Sequence, residues 1–275
     1  MTGFVDFDSA GVAWRERAGG GPVLVALHGI GSQARSFDLL AARLPGWRVI
    51  AWEMPGYGPS APLAAEWPVA ADYAAALDRM TTMQGLSRFH LVGHSLGTLI
   101  AASFARHFPG RVQSVTLASC AQGGGIAPGS GLPADQAERI AELEHNGPAA
   151  FAATRASRLV YEPEANPALV AAVEAGMSRV RLPGYRQAVR MLAAGNLAAD
   201  CARLAIPTAV TVGEADIVTP PPQSRRAHAA LPDAVRGDFT LVAGAGHALH
   251  LQAPAALAAV IETRARTAAT VREEC

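Results

Sequence analysis

Short apolar runs alternate along the first 120 residues with segments whose apolar positions recur every three or four residues. Val23–Leu27 (VLVAL), Arg48–Trp52 (RVIAW), Phe89–Gly93 (FHLVG) and Ser114–Ala118 (SVTLA) read as strands, the first apolar throughout as in a strand covered on both faces. Val12–Glu16 alternates with period two and adds another strand. Between them, Gln33–Leu44, Val69–Met83 and Leu96–Phe108 carry the helical period, the first stopping before Pro45-Gly46. Strands alternating with helices predict a parallel sheet with helices on both faces. The alternation resumes near the end, with strands at Ile206–Gly213 and Asp238–Gly244 and helices at Pro221–Leu231 and Pro254–Arg266.

Strand signals vanish between about residues 121 and 199. A Gly/Pro segment, AQGGGIAPGSGLP, opens this region, and Ala-rich helical pieces punctuated at Pro148, Pro163, Pro167 and Pro183-Gly184 follow. The pattern predicts a helical lid, 121–199, inserted into a core made of 1–120 and 200–275.

Composition narrows the function classes. Half of the 275 residues are apolar and the formal net charge is +0, so a large core is available and no overall field draws the chain to nucleic acid or to an anionic membrane. Cys120, Cys201 and Cys275 are odd in number and far apart, and no CxxC pair exists, so neither a disulfide framework nor a zinc site is expected. The first twenty residues lack a basic start and an apolar stretch, and no apolar run approaches a membrane span. These features predict a cytoplasmic protein, monomer or homodimer, whose partner is a small-molecule substrate.

The chemistry is concentrated at Gly93-His94-Ser95-Leu96-Gly97. A strand that turns at once into a helix forces the residue at the turn into a sparsely populated backbone conformation and presses its second neighbours on either side against other backbone. Glycine at 93 and 97 has no Cβ to clash there. The turn lifts the Ser95 hydroxyl above the sheet edge and aims the helix N-terminus at it.

A serine hydroxyl needs a base, and the base needs an orienting carboxylate. Of the eight histidines, His247 sits in a small-residue loop (VAGAGHALHLQAP) between a strand and a helix, and His250 lies three residues on, at the helix start. His247 is the expected base. The segment VTVGEADIVTPPP places Glu214 and Asp216 after a strand; the shorter carboxylate, Asp216, is the expected acid and Glu214 the alternative. The strand after the nucleophile helix ends LASCAQGGG, without a carboxylate. The oxyanion formed in acyl transfer needs two N–H donors, which Leu96 and Ile30 supply, the latter from the loop HGIGS (28–32). His28, Gly29 and His94 are the expected binding residues.

With HGIGS (28–32), EMPGYGPS (53–60), GHSLG (93–97), GEADIVTP (213–220) and GAGH (244–247) in this order, the chain resembles the α/β-hydrolase superfamily over nearly its whole length. Nearest in look are small esterases, enol-lactonases and carbon–carbon bond hydrolases. The resemblance implies an eight-stranded, mostly parallel sheet, a helical cap, no cofactor and a Ser95-His247-Asp216 triad cleaving an ester or lactone. A carbon–carbon hydrolase would use the same triad, with cap arginines among 155, 158, 179, 181, 186 and 190 on a substrate carboxylate, although pairing of these arginines with the cap's own acids is the simpler expectation. A ligand receptor on the same fold is the third reading. Glu53 stands where the family usually has Asp, and Thr98 where a further glycine is common.

Overall fold

The computed structural model describes residues 3–273, so Cys275 lies outside the described residues. One sheet holds β1 (Phe4–Ser9), β2 (Val12–Arg17), β3 (Val23–Leu27), β4 (Arg48–Glu53), β5 (Phe89–His94), β6 (Val112–Ala118), β7 (Thr208–Gly213) and β8 (Arg236–Val242). Its order is β1-β2-β4-β3-β5-β6-β7-β8. The β1/β2 and β2/β4 pairs are antiparallel and the rest are parallel. Helices α1 (Asp38–Ala42), α2 (Ala70–Met83) and α3 (Gly97–His107) lie in the first half, and α8 (Pro221–Ala230), α9 (Leu249–Gln252) and α10 (Pro254–Glu273) at the end (α4 to α7 are placed below).

The apolar runs are double-sided. In β3, Val25 and Leu27 pack in the cluster that contains Tyr73 and Leu77 of α2 and Leu99 and Phe104 of α3. Leu24 and Ala26 face the opposite cluster, with Leu40 of α1 and Leu257 and Ile261 of α10. Each fully buried Leu or Phe of this kind contributes about 1.5–3 kcal/mol. A β3 of alternating polarity would leave one helical layer without a floor.

Two elements differ from expectation. The strand β1 was not expected; it mixes Phe4, Val5 and Phe7 with polar residues, and five of its six side chains are exposed at the sheet edge. It forms a hairpin with β2 through Ala10 and Gly11, both at positive φ (52° and 72°), the twist that suits a two-residue hairpin turn. Alanine at the first of these positions hides the turn from a sequence reading. The helix expected over Gln33–Leu44 is a 3₁₀ turn (Ala34–Phe37) followed by the short α1. There the Ser36 hydroxyl donates to the Gln33 carbonyl (2.7 Å) and the Ala34 N–H is taken by Glu53 (3.1 Å), which tightens the first turn.

Between β6 and β7 run α4 (Ala134–Ala153, kinked at Gly147-Pro148), a 3₁₀ turn (Ala156–Leu159), α5 (Pro167–Met177), α6 (Leu182–Ala194) and α7 (Leu197–Cys201). The way in and the way out are laced together: Gly125 N–H donates to Gly195 O (2.9 Å), Ile126 N–H to Ala193 O (2.9 Å) and Leu197 N–H to Gln122 O (2.9 Å). The helix α6 also leans on the loop after β4. The Gln187 amide donates to the Leu63 and Ala65 carbonyls (2.7 and 2.8 Å), and a Cβ added to Gly184 would stand 2.2 Å from the Gly56 carbonyl oxygen. Backbone thus touches backbone at that point. Among the described residues, no helix is long and apolar enough to cross a membrane.

Candidate active site

The carboxyl ends of β3, β5 and β7 meet at the middle of the sheet, where ligands of open α/β sheets bind. There β5 ends at His94 and α3 starts at Gly97, leaving two residues for the turn. Ser95 occupies the left-handed region (φ 52°), a costly conformation for a side chain other than glycine. The strain is held by neighbours: Ser95 N–H donates to Ala118 O (2.9 Å), and the Thr98 hydroxyl donates to Ser95 O (2.6 Å). Thr98 is therefore a buried pin on the elbow rather than part of an open floor. A Cβ at Gly93 would lie 2.4 Å from Gly97 O, and one at Gly97 would lie 2.3 Å from Leu27 O, so both glycines are sterically required.

Asp216 and His247 come from the loops after β7 and β8, and their side chains meet, His247 Nδ1 to Asp216 Oδ2, at 2.9 Å. The other carboxylate oxygen accepts from Val218 and Thr219 N–H (both 2.9 Å), an Asx-type turn that fixes the side chain. Burial alone would raise the Asp216 carboxyl; the hydrogen bonds from His247 and Thr219 outweigh it and hold the group below its ordinary range. Asp216 is ionised at neutral pH, so it accepts and His247 Nδ1–H donates. That tautomer leaves Nε2 with a free lone pair. Glu214, the alternative acid, is exposed and makes no contact with His247.

Thr219 was not expected from sequence. Its Oγ1 stands 3.0 Å from Asp216 Oδ2, 3.1 Å from His247 Nδ1 and 3.0 Å from the Ser119 carbonyl. It ties the acid and the imidazole to the end of β6. The signal in the sequence was its place three residues after Asp216, a common offset for a hydroxyl that completes an Asx turn.

Ser95, His247, Ile30, Leu96, Gly29 and His94 line one cavity of about 1110 Å³. Leu96 immediately precedes α3, so its N–H has no intrahelical acceptor. The Ile30 carbonyl accepts from the Tyr57 hydroxyl (2.7 Å), which turns that peptide. A Cβ at Gly29 would lie 3.0 Å from Ser95 Cβ and 3.3 Å from His94 Nδ1, so the loop approaches the elbow closely only as glycine. His94 Nε2–H donates to the His247 carbonyl (2.7 Å), and burial lowers its imidazole to about 3, so it stays neutral. His250 is buried between His94 and Phe37 (ring centroids 4.3 and 5.0 Å) and does not reach Asp216.

His28 corrects an expectation. It does not line the cavity and is wholly buried beneath it. Both ring nitrogens serve the fold: Nδ1–H donates to Gly29 O (2.8 Å) and Nε2 accepts from Met54 N–H (3.2 Å). Having no free edge, it supports the loop and touches no ligand.

Glu53 fills the space under the same loop. Its Oε1 accepts from Ala34 N–H, while Oε2 is buried without a partner, 3.7 Å from His28 Nε2. Burial pushes the carboxyl from 4.5 up to about 7, offset only in part by the Ala34 N–H. Between those values the folded chain keeps a proton that the unfolded chain has released. Stability from this group is therefore full below pH 4.5 and is lost as pH rises through 7. Glu53→Gln is expected to gain stability relative to the parent by about 1–3 kcal/mol on going from pH 5 to pH 8. Urea unfolding at the two pH values checks this, and an equal difference at both would contradict it.

Of the six arginines between β6 and β7 considered from sequence, Arg155 and Arg158 line the large cavity. Arg179 and Arg181 line a separate cleft beside Asp6 and Glu53. Arg155 and Arg186 pair with the cap acids Glu142 and Glu144, and Arg190 pairs with Glu66. Cys120 is buried at the end of β6, and burial pushes its thiol up to about 12, so it is inert. Among the described residues, no group of three or more His, Cys, Asp or Glu side chains is arranged to hold a metal ion.

Ser95, in its strained turn, and His247 line one cavity, and the ionised Asp216 is hydrogen-bonded to His247. Comparison with known proteins bears on the same point. An esterase from Thermogutta terrifontis superposes with a TM-score of 0.82 at 20% identity, over 97% of this chain and 99% of that one. An enol-lactonase from Burkholderia xenovorans superposes with a TM-score of 0.81 at 18% identity, over 94% and 99%. A candidate carbamate hydrolase from Cronobacter turicensis is 26% identical over 245 residues, 86% of this chain and 87% of that one. The match covers only 30% or 31% of the length of several other curated relatives. The profile of the alpha/beta hydrolase family matches residues 24–260, from β3 into the start of α10. The order of the sheet, the turn at Ser95 and this match agree, and the chain belongs to the alpha/beta hydrolase family.

Proposed function

We propose that the chain is a serine hydrolase that cleaves a small carboxylic ester or lactone through an acyl-enzyme on Ser95. The observation that carries this reading is the 2.9 Å contact between His247 Nδ1 and Asp216 Oδ2 on the wall of the cavity that Ser95 also lines. His247 Nε2 takes the Ser95 proton as Oγ attacks the acyl carbon. The N–H groups of Ile30 and Leu96 receive the charge that develops on the carbonyl oxygen. His247 then gives the proton to the leaving alkoxide, and later takes one from the water that releases the acid. Asp216 offsets the imidazolium charge in both halves. In this reading residues 121–199 are the cap over the core 1–120 and 200–275, and the names of the esterase and enol-lactonase neighbours lend it support.

Intact-protein mass spectrometry after treatment with an alkyl fluorophosphonate tests the assignment. One adduct per chain, mapped to the peptide that holds Ser95, is expected. Full ester turnover by protein that acquires no adduct there would refute the acyl-enzyme.

A further inference from the structure

The cap wall of the cavity contains polar groups that neither the fold nor the triad uses. Tyr185, on α6, is 1% exposed, and its O–H finds no acceptor, Arg139 being the side chain placed to bond its oxygen. A buried O–H without an acceptor is costly and rare in a native fold. Its ring is fixed edge-on against Phe151 (centroids 5.3 Å apart), so the hydroxyl is not free to swing to solvent. Gln136 and Arg139 stand three residues apart on α4, hence on one face, and both line the same cavity as Tyr185.

Arg139 supplies the charge. It lines the cavity together with Tyr185, and its charge bears on the hydroxyls of Tyr185 and of Tyr57, the latter hydrogen-bonded to the Ile30 carbonyl. The nearby acid Glu142 is already committed, both oxygens hydrogen-bonding Arg155, whose guanidinium lies 4.0 Å from the Phe151 ring centroid. Arg139 itself forms no ion pair among the described residues. The charged side chains lining the cavity are Arg35, Arg139, Arg155, Arg158 and Arg226 against Asp135; Arg35 and Arg155 are paired with Asp6 and Glu142, which leaves Arg139, Arg158 and Arg226 without an ion pair among the described residues. A cavity walled in this way favours an anion. A guanidinium fork beside a hydroxyl donor matches the two oxygens of a carboxylate.

We propose that Arg139 and Tyr185, with Gln136 beside them, form a carboxylate subsite, so that the substrate is an ester or lactone carrying a free acid group. This rests on the acyl-transfer reading above and names the substrate class for it. The carboxylate pairs with these donors and anchors the substrate at the cap while the acyl carbon meets Ser95.

The test compares charged and neutral esters of equal size on the whole protein. Mono-p-nitrophenyl glutarate is paired with p-nitrophenyl pentanoate, and 4-acetoxybenzoate with p-tolyl acetate, which places the acid on the acyl or on the alcohol side. The charged member of at least one pair is expected to have a kcat/KM about tenfold or more above its neutral partner. In Arg139→Gln and in Tyr185→Phe that ratio is expected to fall about tenfold, through KM. Charged esters cleaved no faster than neutral ones, or a ratio that neither variant changes, would overturn the subsite. Binding of glutarate and 4-hydroxybenzoate, measured by calorimetry, separates this from failure of the acyl-transfer reading. Binding that Arg139→Gln abolishes sustains the subsite even where no ester is cleaved, and no binding together with no cleavage overturns it.

Discussion

Replacing Ser95 with alanine is expected to lower turnover of a p-nitrophenyl ester by about 10⁴- to 10⁶-fold while leaving the fold intact. The size follows from the chemistry. The hydroxyl is the atom that bonds to the acyl carbon, and neither Thr98, which is committed to the Ser95 carbonyl, nor the inert Cys120 can replace it. The fold survives because the contacts that hold the turn are made by backbone. Ser95 N–H still reaches Ala118 O, and Thr98 still reaches the carbonyl of residue 95. Unfolding free energy within about 1 kcal/mol of the parent is the companion result. Purified variant that keeps more than a few per cent of parental kcat/KM would remove Ser95 from the reaction.

Asp216→Asn is the second large effect, a loss of about 10⁴ in kcat with little change in stability. The amide can keep its oxygen on the N–H groups of Val218 and Thr219. Its NH₂ then faces His247 Nδ1, which must become an acceptor. The ring proton moves to Nε2, the nitrogen that has to take the proton from Ser95. The imidazole stays in place in the wrong tautomer, so geometry and chemistry are separated in one variant. A loss smaller than tenfold would mean that the carboxylate does not set the state of the ring. The same measurement on Glu214→Gln is the control, with no loss expected for an exposed side chain.

What the sequence made legible and what it concealed divide along a physical line. Ser95 and Asp216 each follow a wholly buried strand and His247 follows the half-exposed β8, all at the same edge of the sheet, and a strand's carboxyl end can be found from its apolar run. The choice of His247 over His250 followed from loop against helix start, and the contact with Asp216 goes to His247. His28 misled because a histidine beside glycines in a loop reads the same whether its ring faces a ligand or the core. The strand β1 was missed because edge strands bury little, and periodicity reports burial rather than hydrogen bonding. The cap was least legible. Its helices are rich in alanine, so the pattern does not tell which side faces the cavity. The arginines considered there from sequence left out Arg139, which lines the cavity.

The near-contact of Gly56 with Gly184 has a consequence for what the enzyme can accommodate. Tyr185 is the next residue, so the depth of its ring in the chamber is set by two main chains lying against each other with no carbon between them. Any larger residue at either position would prise α6 outward by the width of an atom and carry the tyrosine with it, deepening the chamber at the expense of the seam. The place of Tyr185 on the chamber wall thus depends on the absence of side chains at 56 and 184.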